Sequence, residues 1–177
     1  MIIRALEGVG VEIESEKQLL VLEASKDYGN VKVITTSKEN KITKSSGRIF
    51  SWPGEYEVGS WSFKGIEADN NSVIFAVNIE GMYVVHLGSA KEIKPEALDA
   101  IDNIDVLVLP LSENYLSPKE AKELLSKIEP RIIIPVGDMV DSFLELIEDK
   151  SGSQAVPKAT ITKLSLPVDK TEIIRLV

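Results

Sequence analysis

The chain holds one histidine, His86, and no cysteine, so any imidazole chemistry rests on a single side chain. His86 closes an apolar run, where it could serve as a general base or a metal ligand. The plainer reading is a hydrogen-bonded histidine at a strand end, and we adopt it. Glu55 and Glu57 follow Pro53-Gly54 and could act as an acid–base pair. We read them instead as loop carboxylates bonding backbone amides after the Pro-Gly turn. Asp138 also follows an apolar run, in a position to cap the helix expected after it. Ser37, Ser89 and Ser112 are candidate nucleophiles with only His86 to activate them. Gly8-Val9-Gly10 precedes a strand rather than a helix, so it is no phosphate loop.

Composition narrows the chemistry further. Catalytic zinc usually takes about three protein ligands and keeps one position open. One histidine without thiolates cannot supply them. Carboxylates would suit Mg²⁺ or Mn²⁺, which prefer oxygen. The absence of cysteine also excludes disulfides and thiol nucleophiles. A formal charge of −8 argues against nucleic acid as a partner, which asks for a basic stripe. Lys38, Lys41 and Lys44 cluster among polar residues and read as a solvated loop. No apolar run approaches the roughly 18 residues of a membrane span. The first residues lack the features of a secretory leader. We therefore expect a cytoplasmic protein without membrane contact.

The elements that must position these residues change character along the chain. With 177 residues, 44% of them hydrophobic, one domain spanning residues 1–177 is expected. In the first half Val9, Val11 and Ile13 alternate with polar residues, the period of a strand with one wet face. Strands are also expected at Gln18–Glu23, Val31–Thr35 and Val58–Ile66. Val73–Ile79 and Met82–Leu87 flank Glu80-Gly81 as a hairpin. In the second half, Val106–Leu109 and Arg131–Val136 are unbroken apolar runs, as in strands covered on both faces. Between them Ser117-Pro118-Lys119-Glu120 carries an N-cap, a proline at the first helical position and a glutamate three after the cap. This predicts a helix over Ser117–Glu129 and a βαβ unit with parallel strands. Further helices are expected near Pro95–Ile101 and at Met139–Asp149, and strands at Ala159–Ser165 and Glu172–Leu176. The fold class is α/β, two mixed sheets face to face with helices outside. A site belongs at the carboxyl ends of the parallel strands.

Three stretches carry a family resemblance. Trp52-Pro53-Gly54-Glu55-Tyr56-Glu57-Val58 matches a PGEYEV segment, and Val85-His86-Leu87-Gly88-Ser89 resembles an HLGD strand end. Ile104–Pro110 followed by Glu129–Pro135 resembles DVLLLPV and EPRIVIPMHY. Together they resemble the small metallo-β-lactamase-fold hydrolases of the ascorbate-phosphate-lactonase-like branch. The resemblance implies a four-layer αββα sandwich and a zinc site built on HxHxDH. In this chain Thr36, Lys38, Asn40 and Lys41 stand at those four ligand positions. Ser89 replaces the aspartate of HLGD, and Gly137 replaces the histidine of PMHY. The family's glycine–histidine appears as Glu7-Gly8 and its Asp-Pro as Glu23-Ala24. The resemblance thus implies a degenerate member without the zinc ligands, and no cofactor is expected.

The leading expectation is a non-catalytic binding or interaction module, with a cleft that takes an unknown small molecule. Lys38 and Lys41 at its mouth would favour an anion. Glu55, His86, Ser112 and Asp138 are the candidate residual site. Two alternatives stand beside it: a hydrolase using Mg²⁺ or Mn²⁺ on Glu55, His86 and Asp138, and a structural subunit of an oligomer.

Overall fold

In the computed structural model, residues 1–29, 31, 33–35, 47–69, 72–101, 104–148 and 154–177 are described. The chain folds as two mixed β-sheets packed face to face. The first sheet contains β1 (Ile2–Ala5), β2 (Val11–Ser15), β3 (Gln18–Leu22), β4 (Val33–Thr35), β5 (Arg48–Phe50) and β12 (Ala159–Thr160). Its order is β12-β1-β2-β3-β4-β5. The second contains β6 (Gly54–Val58), β7 (Trp61–Glu67), β8 (Val73–Ile79), β9 (Met82–His86), β10 (Val106–Pro110), β11 (Ile132–Val136) and β13 (Glu172–Ile173). Its order is β13-β11-β10-β9-β8-β7-β6.

Alternation along β2 buries Val11, Ile13 and Ser15 and turns Glu12 and Glu14 outward, where both pair with Arg4 across the strand. The inward side chains of β1, β2 and β3 meet those of β7 to β11 in the main core, with Phe75, Ile3, Ile13 and Leu20 among the fully buried. Strands β10 and β11 are buried at every residue. One of their faces lies in that core, and the other packs under α1 (Pro95–Ala100), α2 (Pro118–Leu125) and α3 (Val140–Leu146). The described helices thus flank the seven-stranded sheet. A smaller apolar cluster of Val21, Ala24 and Val31 lies on the outer face of the other sheet.

The βαβ unit forms as its sequence signals require. β10 and β11 are parallel, with Val106 opposite Ile132 and Pro110 opposite Val136. At the start of α2 the Ser117 hydroxyl accepts from the Glu120 amide at 3.3 Å. The Glu120 carboxylate accepts from the Ser117 amide at 2.8 Å, a reciprocal cap. The hairpin of β8 and β9 turns at Glu80-Gly81 with both residues at positive φ.

Several expectations need correction. Val58–Ile66 is not one strand: Gly59-Ser60 turns the chain so that Val58 pairs with Trp61, Gly59 taking φ +65°. Glycine first in a two-residue turn favours just this reversal. The stretch around Glu55 and Glu57 is therefore the sheet's last strand, β6, and not a loop. β1 and β5 carry no alternation long enough to predict a strand. Near the end the ladder stops at Thr160, and Lys163–Ser165 form a 3-10 turn. Leu176 makes only an isolated bridge to Val156. No described helix is long and apolar enough to cross a membrane.

Candidate functional site

Strands β9, β10 and β11 run parallel, so their carboxyl ends open at one edge of the sandwich. The first sheet contributes the turn after β3 there. The resulting hollow, of about 290 Å³, is lined by Gly8, Val9, Glu23, Ser25, Ser112, Tyr115, Gly137 and Asp138.

Beneath it lies His86, 1% exposed. Its Nδ1 accepts from the Gly88 amide at 2.9 Å. That bond requires a bare Nδ1 and puts the ring proton on Nε2, which donates to the Val9 carbonyl at 2.9 Å. The imidazole thereby ties the end of β9 to the loop before β2. Burial pushes its pKa down, opposed by the charge of Glu23 and the bond to Val9. A neutral ring is the form that accepts from Gly88, so burial and hydrogen bonding agree.

Glu23 is 2% exposed and sits at φ +54°, a conformation few non-glycine residues adopt. Its Oε1 accepts from the Tyr115 hydroxyl at 3.0 Å. The Ala24 amide donates to the Thr35 carbonyl at 3.0 Å, holding the turn against the end of β4. Glycines let these backbones close up. A Cβ at Gly10 would meet the Glu23 carbonyl at 2.6 Å, and one at Gly137 (φ +113°) the Leu111 carbonyl at 2.1 Å.

The structure brings some expected residues together and separates others. Ser112 and Asp138 share the hollow, His86 underlies it, and Gly137 forms part of its wall. Ser89 is half-buried in the turn after Gly88 and is not among the lining residues. Thr36, Ser37, Lys38, Asn40, Lys41 and Lys44 lie outside the described residues. Glu55 sits elsewhere, on the outer face of β6, its carboxylate 3.2 Å from the Lys64 amine. Asp138 does not cap α3, whose N-cap is Met139 without a side-chain bond. Tyr115 was missed altogether, since a tyrosine in a polar loop carries no sequence signal. Glu23 was noticed only as the stand-in for the family's Asp-Pro.

A family model described as a beta-lactamase superfamily domain matches residues 12–137. The chain belongs to that superfamily. A solved structure from Thermotoga maritima, of a protein assigned to the Zn-dependent hydrolases of the metallo-beta-lactamase superfamily, is 24% identical. It superposes with TM-score 0.78 over 100% of both chains. Igni18, a metallo hydrolase from Ignicoccus hospitalis, is 8% identical at TM-score 0.60, over 83% of this chain and 90% of its own. YhfI, a metallo-beta-lactamase fold protein from Bacillus subtilis, is 9% identical at TM-score 0.58, over 95% and 88%. These likenesses show the fold. No curated protein matches the sequence.

A metal site of the superfamily's kind does not fit the residues at these strand ends. The sole imidazole has a backbone partner on each nitrogen. Position 137 has no room for a side chain. Among the described residues no group of three or more His, Asp or Glu could hold a metal ion. Among the described residues no serine bonds His86.

Proposed function

We propose that this superfamily member is a non-catalytic binding module, a pseudoenzyme whose cleft takes a small polar molecule. The observation that carries the reading is the use of His86. The chain's one imidazole is spent on fastening two loops, with a backbone partner on each ring nitrogen. The cleft is lined by the acidic residues Glu23 and Asp138 and the hydroxyl-bearing Ser25, Ser112 and Tyr115. This is a polar lining that can bind and orient a small molecule through hydrogen bonds. Localisation in the cytoplasm is part of the same proposal. The alternative hydrolase, with Mg²⁺ or Mn²⁺ on Glu55, His86 and Asp138, finds no support in the geometry, because Glu55 faces another groove.

The test measures metal and turnover together. Tag-free protein is dialysed against a mild chelator and then against Zn²⁺, Mn²⁺ or Mg²⁺. Metal content is read by elemental analysis, and hydrolysis of p-nitrophenyl phosphate and its bis ester by absorbance. The expected result is substoichiometric metal and no metal-dependent turnover. One equivalent of tightly held metal, with turnover that disappears in Asp138→Ala, would overturn the reading.

A further inference from the structure

We propose that the outer edge of β6 is a docking strand for an extended basic segment of another protein. The segment carries lysine or arginine at alternate positions, with apolar residues between them. This goes beyond the cleft reading and stands on a different part of the molecule.

β6 closes the seven-stranded sheet, pairing with β7 on one side. Among the described residues no strand pairs with its other side, so alternate backbone donors and acceptors there can receive another strand. The side chains of β6 divide by the strand period. Glu55 and Glu57 point outward, while Tyr56 and Val58 point toward the core.

On the outward face lies an open groove of about 640 Å³, lined in part by Glu55, Glu57, Ser62, Lys64, Tyr83 and Asp99. Three carboxylates face one cation there, and Lys64 is already drawn to Glu55 at 3.2 Å. The other face of an added strand would run beside aromatic side chains. Tyr56 packs against Phe50 and Phe63 with ring centroids 4.7 and 5.2 Å away, and Trp52 is 64% exposed on the approach to β6. One face therefore selects positive charge and the other apolar surface, which together specify an alternating segment. A second copy of this chain fits poorly. Antiparallel pairing of β6 with itself would set Glu55 and Glu57 against their own kind, and like charges across a ladder destabilise it.

The test uses the full chain and a capped, fluorescent peptide alternating lysine and valine, read by anisotropy at low and moderate salt. Controls are a glutamate–valine peptide and a lysine–valine peptide N-methylated at alternate residues. The expected result is binding of the plain lysine–valine peptide, with amide perturbations at residues 54–58. Affinity should fall by about tenfold or more in Glu57→Lys combined with Asp99→Lys, both exposed positions, with thermal unfolding confirming that the variant folds. Equal binding of the lysine and glutamate peptides would overturn the proposal. So would an unaffected charge-reversed variant, equal binding of the N-methylated peptide, or dimerisation of the chain through β6 in sedimentation. Metal content and turnover are untouched by any of these outcomes, so this proposal and the cleft reading fail separately.

Discussion

Acidification through the range where histidine titrates should weaken this fold through His86. In the folded chain burial holds the His86 pKa below its ordinary value of 6.5, and the bond from the Gly88 amide to Nδ1 favours the neutral ring. In the unfolded chain the same ring takes up a proton as pH falls through about 6.5. The unfolded state then binds more protons than the folded one, so stability must fall as pH falls. Between about pH 7.5 and about pH 5.5 the unfolded ring goes from mostly neutral to mostly charged. Integrating that uptake gives a loss of about 1.4 kcal/mol if the folded ring stays neutral throughout. No other histidine titrates in this window, and comparison with a variant lacking His86 cancels what the α-amino group contributes. Urea unfolding at the two pH values, for wild type and His86→Asn, isolates the effect as a difference of differences. The variant should be less stable at both pH values, since buried backbone groups that lose a partner cost about 1–3 kcal/mol each. It should also lack the wild type's pH dependence through His86, to about the accuracy of the extrapolation. Equal pH dependence in the two proteins would refute the argument. In wild type, a ring-proton NMR shift that titrates near 6.5 would refute it independently of how the variant folds.

Two further outcomes follow from single contacts. Gly137→Ala should destabilise the fold by about 2–4 kcal/mol in denaturant titration, because φ is +113° and the new Cβ would lie 2.1 Å from the Leu111 carbonyl. Glu80 accepts from the N-terminal amine and from Ser15, and these bonds hold its pKa below the ordinary 4.5. Its contribution is present above that ordinary value and disappears as pH falls through the lower folded one. Glu80→Gln should therefore lower the melting temperature near neutral pH and converge with wild type in acid, with a gap of at most about 1 kcal/mol because the pair is partly exposed.

The parts of the fold legible in sequence were those whose local and tertiary preferences agree. Val106–Leu109 is apolar at every position because it lies between a core and a helix layer, and Ser117-Pro118-Lys119-Glu120 encodes its own cap. β6 was hidden because Pro53-Gly54 announces a turn while the ladder begins at Gly54 itself. β1 is four residues long with one buried side chain, too little alternation to register. At the cleft, Ser112 and Asp138 could be placed from strand ends alone. The contact between Glu23 and Tyr115, 92 residues apart, is created by the meeting of two sheets and leaves no trace in either local sequence.

Those long-range contacts bear on what the cleft can become. In a metal-dependent relative, coordination bonds can join loops from different strands, and metal affinity then contributes to folding. Here the joining is done by hydrogen bonds: Tyr115 to Glu23, His86 to Val9 across 77 residues, and Leu111 to the Val136 carbonyl at 2.8 Å. Each contributes only about 1 kcal/mol net, yet together they fix the wall of the hollow before any ligand arrives. A ligand that fits therefore incurs little ordering cost on binding. The same closeness works against metal chemistry at these strand ends. A histidine at position 137 needs a Cβ where the Leu111 carbonyl now stands, and His86 cannot turn to a metal without releasing both Gly88 and Val9. Zinc binding there would thus require the backbone at two strand ends to be laid differently, and not only imidazoles to be introduced.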